Sequence, residues 1–378
     1  MTLRILMVNY EYPPIGGGSA NATHYLLREL ALRPDLSIDL VTCGTGSRPE
    51  IESLTPSIRI HHVPVPKKEM HFWTARELGT WFLRARAYCD DLIEREAFDL
   101  GHYWSGWPSG IIGHRYRKRI PYLVSLRGSD VPGYNPRLRA LDPVLFKPIA
   151  RAVWKGATAV TCVSENLGAL ARKTMPDLRF EVVRNAVDCE RFRPGTPDKA
   201  FTAIFAGRLI ERKGVTYLFR ALRLLADDGR ICHLLVAGSG PERQRMERYA
   251  LDNGLRGQVE FHGVVGDELP ALYRRAHVFV LPALEEALSN AALEAIATGL
   301  PLITTRTGVE EILDDNGLLI RRKSAESIAE AIGRYIDDPD LLATHAGRSR
   351  ALAESMPWSA VADRYVAIYN GMRKAGAR

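Results

Sequence analysis

The run Val278-Phe-Val-Leu-Pro-Ala-Leu-Glu-Glu-Ala-Leu-Ser-Asn-Ala-Ala-Leu-Glu-Ala-Ile-Ala-Thr-Gly-Leu-Pro301 reads as a strand, a turn and a helix. Four apolar residues precede Pro282, which cannot donate to a sheet ladder, so we expect the strand to end there. Ser289 and Asn290 favour the start of a helix rich in alanine, and Gly299 stops it. The stretch therefore predicts a helix that begins at the carboxyl end of a buried strand, as in an open α/β sheet.

Two carboxylates frame this helix start, Glu286 in the turn before it and Glu294 one turn inside it. The free N–H groups of a helix N-terminus favour an anion such as a phosphate, and a carboxylate accepts hydrogen bonds from sugar hydroxyls. On an ordinary surface helix the same glutamates would simply be solvated charges. Glu294, however, lies among residues apolar enough for burial, and a buried carboxylate needs partners. The stretch therefore suits a nucleotide sugar.

The size and composition of the chain limit its domain number and the class of protein to which it can belong. With 378 residues and 46% hydrophobic content, the chain can bury two cores, so we expect two domains. No apolar run reaches the roughly 20 residues of a membrane span. The five cysteines are scattered and never form a Cys-x-x-Cys pair, which favours free thiols in a reducing cytoplasm over disulfides or a zinc site.

The net charge of +7 is unevenly distributed. Residues 1–194 hold 27 Lys and Arg against 20 Asp and Glu, whereas residues 195–378 hold 24 of each. A basic first half indicates contact with something acidic, namely a membrane surface, a phosphorylated acceptor or nucleic acid. A generally basic, arginine-rich proteome would explain the same excess.

The first half alternates short apolar strands with helices, which predicts a parallel, doubly wound sheet. After its first strand comes a loop with three consecutive glycines, of which Gly17 and Gly18 precede a helix. Glycines let the backbone approach a ligand closely. Arg127 and Asp130 follow another strand, so they fall at the same sheet edge and are candidates for phosphate and acceptor-hydroxyl contacts.

The second half opens with a strand that ends at Gly207, followed by the cations Arg208 and Lys213. Two long cationic side chains at the carboxyl end of a strand can clamp a diphosphate, whose negative charge grows as it leaves. A surface loop with salt-bridged ends is the plainer interpretation. Val264 follows a later strand, in a turn whose backbone can pair with the edge of a base.

Several segments together resemble a known family. The stretch from Glu286 to Pro301 is similar to the Glu-x7-Glu signature of the retaining family 4 glycosyltransferases with the GT-B fold. Gly207-Arg-Leu-Ile-Glu-Arg-Lys-Gly214 is similar to their Gly-Arg-Leu-x-x-x-Lys-Gly motif, and Pro13-Pro-Ile-Gly-Gly17 to their N-terminal loop. The resemblance runs from about residue 5 to residue 372. Arg127 replaces the histidine of a His-Gly-x-Asp segment, so no histidine role carries over.

The resemblance implies an α/β protein of two facing Rossmann-like domains, each a doubly wound parallel sheet, with the active site in the interdomain cleft. Residues 1–190 would form an acceptor-binding domain completed by the C-terminal helix over 357–378, and residues 191–356 would bind the nucleotide sugar. The implied enzyme is of the hexosyltransferase type.

The implied reaction moves a sugar from a nucleotide diphospho-sugar to an acceptor hydroxyl with retention of configuration. It needs no metal and no cofactor beyond the donor substrate. Arg208 and Lys213 would stabilise the leaving diphosphate, Glu286 would hold donor-sugar hydroxyls, and Glu294 would hold the ribose. The donor site predicted in this way comprises Gly17, Gly18, Gly207, Arg208, Lys213, Val264, Glu286, Leu288, Ser289, Asn290 and Glu294, with Arg127 and Asp130 on the acceptor side.

The acceptor is expected to be a sugar, a lipid-linked saccharide or a small molecule, with polysaccharide biosynthesis as the setting. The basic first half, with aromatic and arginine residues between 70 and 86, suggests a peripheral contact with the inner face of the membrane for an otherwise cytoplasmic protein. An epimerase or phosphorylase of the same fold remains an alternative, as does a binding module. No recognition helix or zinc spacing supports a nucleic-acid partner.

Overall fold

The computed structural model describes residues 2–376. The chain divides into two compact units. The first ends at Asn185 and resumes at Trp358, and the second spans Ala186–Pro357. The division falls within the polar segment around residues 180–195, which we interpret from the sequence as the crossing between domains.

The first unit is built on an eight-stranded sheet. Its strands are β1 (Leu3–Val8), β2 (Leu36–Gly44), β3 (Glu50–Thr55), β4 (Ile58–Pro64), β5 (Leu100–Trp104), β6 (Tyr122–Leu126), β7 (Ala159–Cys162) and β8 (Glu181–Val182). Its helices are α1 (Gly18–Leu30), α2 (Ala75–Arg95), α3 (Ser109–Tyr116), α4 (Lys147–Gly156), α5 (Glu165–Arg172) and α12 (Trp358–Gly376).

The strand order of this sheet is β3-β4-β2-β1-β5-β6-β7-β8. Strands β5 and β6 are buried along their whole length, as expected for a parallel sheet covered on both faces. The order reverses direction between β1 and β5, so the loops after these strands meet at the edge where open sheets bind ligands. The parallel, doubly wound sheet expected from the sequence is observed, with one antiparallel pair at its edge, where β3 pairs with β4.

The C-terminal helix α12 packs on the first unit through buried polar contacts. The hydroxyl of Tyr369 lies 2.7 Å from Nδ1 of His102, whose Nε2 lies 2.7 Å from the hydroxyl of Ser125. The ring of Trp358 stacks on Tyr25 of α1 at a centroid distance of 5.5 Å. These contacts fix the last described helix against strands β5 and β6.

The second unit is built on a six-stranded sheet in which every pairing is parallel. Its strands are β9 (Thr202–Ala206), β10 (His233–Ala237), β11 (Val259–Gly263), β12 (Val278–Leu281), β13 (Leu302–Thr304) and β14 (Gly317–Leu319). Its helices are α6 (Val215–Asp227), α7 (Arg243–Asp252), α8 (Leu269–Arg275), α9 (Asn290–Ala297), α10 (Ala325–Asp337) and α11 (Pro339–Glu354).

The strand order of this second sheet is β11-β10-β9-β12-β13-β14. The chain starts at β9, builds outward to one side and then returns to β12 on the other side. The order therefore reverses between β9 and β12, and the loops after these two strands meet at the carboxyl edge. The fold thus brings together the two segments that carry Lys213 and Glu286.

Within residues 2–376, no helix is both long and apolar enough to cross a membrane. In the same part of the chain, no cluster of three or more His, Cys, Asp or Glu side chains is arranged to hold a metal ion.

Candidate active site

The helix α9 begins where the sequence predicts it. Ser289 has an extended backbone and is the N-cap, and its hydroxyl accepts a hydrogen bond of 3.3 Å from the N–H of Ala292. Leu288 and Ser289 are buried, whereas Asn290 is partly exposed. The first turn of this helix lies at the carboxyl edge of the sheet, directly after β12. The positive end of the helix dipole therefore faces the predicted donor site.

Lys213 ends a short 3₁₀ turn, Glu211–Lys213, that follows β9. The next residue, Gly214, has a φ of +69°, and a Cβ there would lie 2.0 Å from the carbonyl oxygen of Pro282. Only glycine fits this contact, which presses the β9 loop against the β12 loop. A hydrogen bond of 2.7 Å from the N–H of Leu284 to the carbonyl of Arg212 joins the same two loops.

This loop contact pairs the Lys213 ammonium with the Glu286 carboxylate. Both side chains are nearly buried, with 11% and 10% of their surface exposed. Burial by itself would raise the pKa of Glu286, but the charge and the hydrogen bond of Lys213 outweigh it, so the pKa lies below its ordinary value. Glu286 is therefore an anion at neutral pH, ready to accept hydroxyl donors.

Gly207 and Arg208 lie beside this pair at the end of β9. A Cβ on Gly207 would be 4.0 Å from Nζ of Lys213, so the Lys213 ammonium passes close to the Gly207 backbone. Arg208 is exposed, and no hydrogen bond or ion pair of its guanidinium occurs among residues 2–376. One fixed cation and one cation free to move thus lie on the same loop, an arrangement suited to a diphosphate.

Glu294 lies inside α9 and is only partly accessible. The hydroxyl of Tyr273 donates a hydrogen bond of 3.0 Å to its Oε2. Burial raises the pKa of Glu294 to about 7, against smaller lowering effects of the Tyr273 hydrogen bond and the Arg191 charge. The carboxyl group is therefore close to half-ionised at neutral pH, and a ligand that donates hydrogen bonds would favour its ionised form.

Two further loops close around these residues. A Cβ on Gly308, after β13, would lie 2.1 Å from the carbonyl oxygen of Ala287, so this turn touches the Glu286 segment. The N–H of Gly238, after β10, donates to the carbonyl of Gly263, next to Val264. Val264 is 60% exposed, which leaves its side chain open to a planar ligand.

In the first unit, Gly17 is the N-cap of α1 and Gly18 its first residue. A Cβ on Gly17 would meet nothing within 4 Å. Two hydrogen bonds fix the neighbouring Gly16. Nδ1 of His71 lies 2.6 Å from its carbonyl oxygen, and its N–H donates to the carbonyl oxygen of Met70. Open space in front of a fixed glycine backbone is compatible with a ligand there.

Asp130 is 4% exposed and accepts three backbone hydrogen bonds. Its Oδ1 accepts from the N–H groups of Arg127 and Gly128 at 3.0 and 2.8 Å, and its Oδ2 from the N–H of Gly106 at 2.7 Å. These bonds tie the loop after β6 to the loop after β5. The acceptor-hydroxyl contact that the sequence suggests for Asp130 stays a prediction, and its observed partners are backbone amides.

Arg127 is held by two neighbours in the same unit. Its Nη2 donates a hydrogen bond of 2.6 Å to the side-chain oxygen of Asn185, and its guanidinium carbon lies 4.3 Å from the centre of the Trp104 ring. Burial lowers the pKa of Arg127 from its ordinary value, which leaves it a cation at neutral pH. Arg127 and Asp130 therefore share one loop, although each contacts a different partner.

Several side chains that support the site could not be predicted from the sequence. Tyr273 lies on α8, far along the chain from Glu294, and no local pattern pointed to it. The stack of Trp104 beneath Arg127 depends on the pairing of β5 with β6, which spacing alone does not reveal. The exposed aromatic and basic face expected between residues 70 and 86 is wrong for Trp81, because this side chain is fully buried in the core.

Two family profiles match the chain. The one described as Glycosyltransferase Family 4 matches residues 16–191, and the one described as Glycosyl transferases group 1 matches residues 200–338. The chain is also 30% identical over 317 residues to the alpha-D-kanosaminyltransferase of Streptomyces kanamyceticus, an alignment that covers 78% of this chain and 78% of that protein.

Solved structures show the same fold. The sucrose-phosphate synthase of Thermosynechococcus elongatus superposes with a TM-score of 0.84 at 21% identity, over 99% of this chain and 100% of that one. The Anabaena protein HepE, in complex with UDP and glucose, superposes with a TM-score of 0.75 at 17% identity, over 98% of this chain and 99% of that one. The GT-B class expected from the sequence is confirmed.

Proposed function

The chain belongs to the group 1, family 4 glycosyltransferases, and from that premise we propose that it transfers a sugar from a nucleotide diphospho-sugar to an acceptor hydroxyl, with retention of configuration and without a metal ion. The observation that carries the proposal is the ion pair of Lys213 with Glu286 at the start of α9. It places a cation for phosphate oxygens directly beside an anion for sugar hydroxyls, which is the order of groups in a nucleotide diphospho-sugar.

The role proposed for each residue follows from the chemistry of its side chain. The Lys213 ammonium has three donors, of which Glu286 engages one, so the others remain for phosphate oxygens. Arg208 can swing onto the same diphosphate, and the first-turn amides of α9 add partial positive charge. Glu294 accepts hydrogen bonds from the two ribose hydroxyls of the nucleotide.

In the proposed reaction the bond between the anomeric carbon and the phosphate oxygen breaks. The acceptor oxygen forms its bond to the same face of that carbon, which retains the configuration. The acceptor's proton passes to the departing phosphate oxygen, so no separate side-chain base is required. Negative charge grows on the diphosphate as it leaves, and Arg208 and Lys213 stabilise that charge more in the transition state than in the ground state.

The donor nucleotide to test first is UDP, because HepE has the same fold and was solved with UDP and glucose. We place the acceptor among lipid-linked or cell-surface glycan precursors, and the enzyme in the cytoplasm with a peripheral contact at the inner face of the membrane. The support is the basic charge of the first half of the chain. A small-molecule acceptor is the competing choice, since the related kanosaminyltransferase is named for transfer of an amino sugar.

The first test is a thermal-shift screen against UDP-, GDP-, ADP- and dTDP-sugars, with and without EDTA. Binding to the folded state raises the melting midpoint by mass action, so the true donor gives the largest shift. We expect one nucleotide class to stand out, EDTA to leave the shift unchanged, and Glu294→Ala to abolish it. Glu330→Gln, which changes an exposed glutamate of α10, is the matched control.

Two outcomes would contradict the proposal. If no nucleotide moves the midpoint, donor binding is absent. If EDTA removes the shift, donor binding depends on a metal ion. Product analysis separates the alternatives of the same fold, because an epimerase converts its nucleotide sugar without an acceptor and a phosphorylase requires inorganic phosphate.

A further inference from the structure

A cluster of exposed aliphatic side chains lies between β6 and α4 of the first unit and includes none of the predicted donor residues. Leu141, Val144 and Leu145 are 48%, 78% and 46% exposed, and we call them the apolar ridge. Other exposed aliphatic residues of the first unit, such as Leu32 and Ile51, are isolated from one another along the chain. Single exposed apolar residues are ordinary, whereas three within five positions mark a contact surface.

The apolar ridge is held rigidly outward. Two buried anchors lie next to its members along the chain, Asp142 after Leu141 and Phe146 after Leu145. The carboxylate of Asp142 accepts a hydrogen bond of 2.7 Å from the N–H of Gly133, and the ring of Phe146 stacks on Trp107 at 4.9 Å. The backbone of Asp142–Phe146 forms a π-helical turn, a local feature that often marks functional sites. The exposure of the ridge is therefore built into the fold.

The chain segment that carries the apolar ridge is strongly basic. Residues 101–185 contain 14 Lys and Arg against 5 Asp and Glu, whereas residues 1–100 contain 11 against 13. The excess charge of the first half thus lies in the part of the chain that carries the ridge. Lys147, Arg151 and Lys155 recur every fourth position along α4 and so form one stripe on that helix. Between residues 131 and 164 the sole acidic residue is Asp142, which is buried.

We propose that the apolar ridge and the basic stripe of α4 dock the protein on an anionic lipid bilayer. The aliphatic side chains would enter the headgroup region, and each cation near the surface would strengthen binding roughly fivefold through attraction to anionic lipids. A protein interface is a poorer match, because such surfaces are enriched in aromatic residues and depleted of lysine at their centre. The ridge contains no aromatic residue, and the stripe beside it contains two lysines.

The anchors also connect the apolar ridge to the acceptor side. Trp107 lies in the loop after β5, and Gly133 lies in the loop that holds Arg127 and Asp130. Docking would therefore hold these loops at the lipid headgroups. Resting on the proposed transferase function, this placement selects an acceptor whose hydroxyl is carried by a membrane lipid.

The test is flotation of the full chain with extruded vesicles of phosphatidylcholine alone, or of phosphatidylcholine with 30% phosphatidylglycerol. We expect binding to the anionic vesicles, at least tenfold weaker binding to the neutral ones, and a loss of binding in 0.5 M salt. The variant Leu141→Ser/Val144→Ser/Leu145→Ser should weaken anionic-vesicle binding at least tenfold. The matched control Leu32→Ser/Ile51→Ser removes equally exposed residues elsewhere in the unit and should bind normally.

A second variant, Lys147→Glu/Lys155→Glu, keeps the apolar ridge and reverses part of the stripe, so it should also release the vesicles. Equal binding of the ridge variant and the control pair, or no binding of the natural chain, would overturn the proposal. So would a natural dimer that the ridge variant converts to monomer in light scattering, because the ridge would then be a protein interface.

The docking proposal and the transferase proposal can fail independently of each other. The ridge variant should keep the melting-midpoint shift of the natural chain with the nucleotide sugar found in the donor screen, because the ridge touches none of the predicted donor residues. Vesicle binding without any nucleotide effect would leave the docking surface standing and remove the transferase. A nucleotide effect without vesicle binding would keep the transferase proposal and overturn the docking surface.

Discussion

The hydroxyl of Tyr273 lies 3.0 Å from Oε2 of Glu294 and joins α8 to the helix that begins at the donor site. This bond supplies the partner that a carboxylate among apolar residues requires. It also leaves Glu294 with a pKa of about 7, since burial outweighs the hydrogen bond. The protein therefore carries, at its predicted ribose contact, a group that ionises near neutral pH.

The first prediction concerns stability and pH. Between the ordinary value of 4.5 and the raised pKa of about 7, folded Glu294 keeps a proton that the unfolded chain releases. The contribution of Glu294 to the free energy of unfolding therefore falls as pH rises through this window, by on the order of 3 kcal/mol in total. Glu294→Gln removes that titration, so the variant should gain stability relative to the natural chain from pH 5 to pH 8.

Thermal melts at four pH values measure this difference, with Glu330→Gln as the control at an exposed site. Parallel curves for Glu294→Gln and the natural chain would show that Glu294 does not titrate in this range.

The second prediction separates catalysis from stability at Arg208. Its guanidinium is exposed and makes no hydrogen bond or ion pair within the described chain, so Arg208→Ala should change the free energy of unfolding by less than about 0.5 kcal/mol. If Arg208 stabilises the leaving diphosphate, kcat should fall about 10²- to 10³-fold, with partial recovery in Arg208→Lys. Steady-state kinetics and melts test both parts. Arg256→Ala, another exposed arginine of the same unit, should leave kcat intact.

The third prediction concerns the ion pair of Lys213 and Glu286. Lys213→Met leaves a nearly buried carboxylate without its ammonium partner, which should cost about 3 to 5 kcal/mol of stability and most of the turnover. Lys213→Met/Glu286→Gln removes both charges and should regain much of the stability but none of the turnover. Denaturant melts and product assays on Lys213→Met, Glu286→Gln and the double variant complete a double-mutant cycle. Additive stability losses would indicate that the two side chains do not interact.

Much of the fold could be predicted because strong local patterns coincide with elements. The short apolar runs over residues 100–104 and 122–126 predict two strands, and β5 and β6 span the same residues. The sequence also predicts a long helix over residues 74–96. Helix α2 spans Ala75–Arg95, and a capping box of Thr74 and Glu77 marks its start. A cap and a hydrophobic period are encoded by neighbouring residues, so they can be read without the fold.

Other features depend on residues distant in the chain. Strand β3 is largely exposed at a sheet edge, so its sequence lacks the apolar alternation of a core strand. Trp81 looked like part of a surface aromatic group, yet it lies on the inward face of α2. Tyr273 reaches Glu294 only because α8 packs beside α9. Which predicted site residues meet is thus decided by packing, and their roles in the reaction stay predictions.

The fourth prediction concerns Asp130. Its two oxygens accept three backbone hydrogen bonds, so Asp130→Asn turns an amide donor toward at least one backbone N–H. A buried donor left without an acceptor costs about 1 to 3 kcal/mol, and the charge is lost as well. We expect faster hydrogen exchange at Gly106, Arg127 and Gly128, measured by mass spectrometry. Asp177→Asn, at an exposed aspartate, is the control. Unchanged exchange with lost turnover would instead favour direct contact with the acceptor.

The last prediction isolates the loop contact that brings Lys213 to Glu286. Gly214 and Gly229 have nearly the same backbone, with φ of +69° and +73°. A Cβ at Gly214 would lie 2.0 Å from the carbonyl oxygen of Pro282, whereas a Cβ at Gly229 would meet nothing within 4 Å. Gly229→Ala should therefore cost only the conformational strain of roughly 1 to 2 kcal/mol.

Gly214→Ala adds a clash with the β12 loop and should cost roughly 2 kcal/mol more than Gly229→Ala. Because the clash pushes Lys213 away from Glu286, donor affinity should fall in Gly214→Ala alone. Denaturant melts and nucleotide titrations compare the two variants directly. If Gly214→Ala and Gly229→Ala lose the same stability and keep the same donor affinity, backbone strain alone explains the loss of stability. The contact with Pro282 then does not position the ion pair.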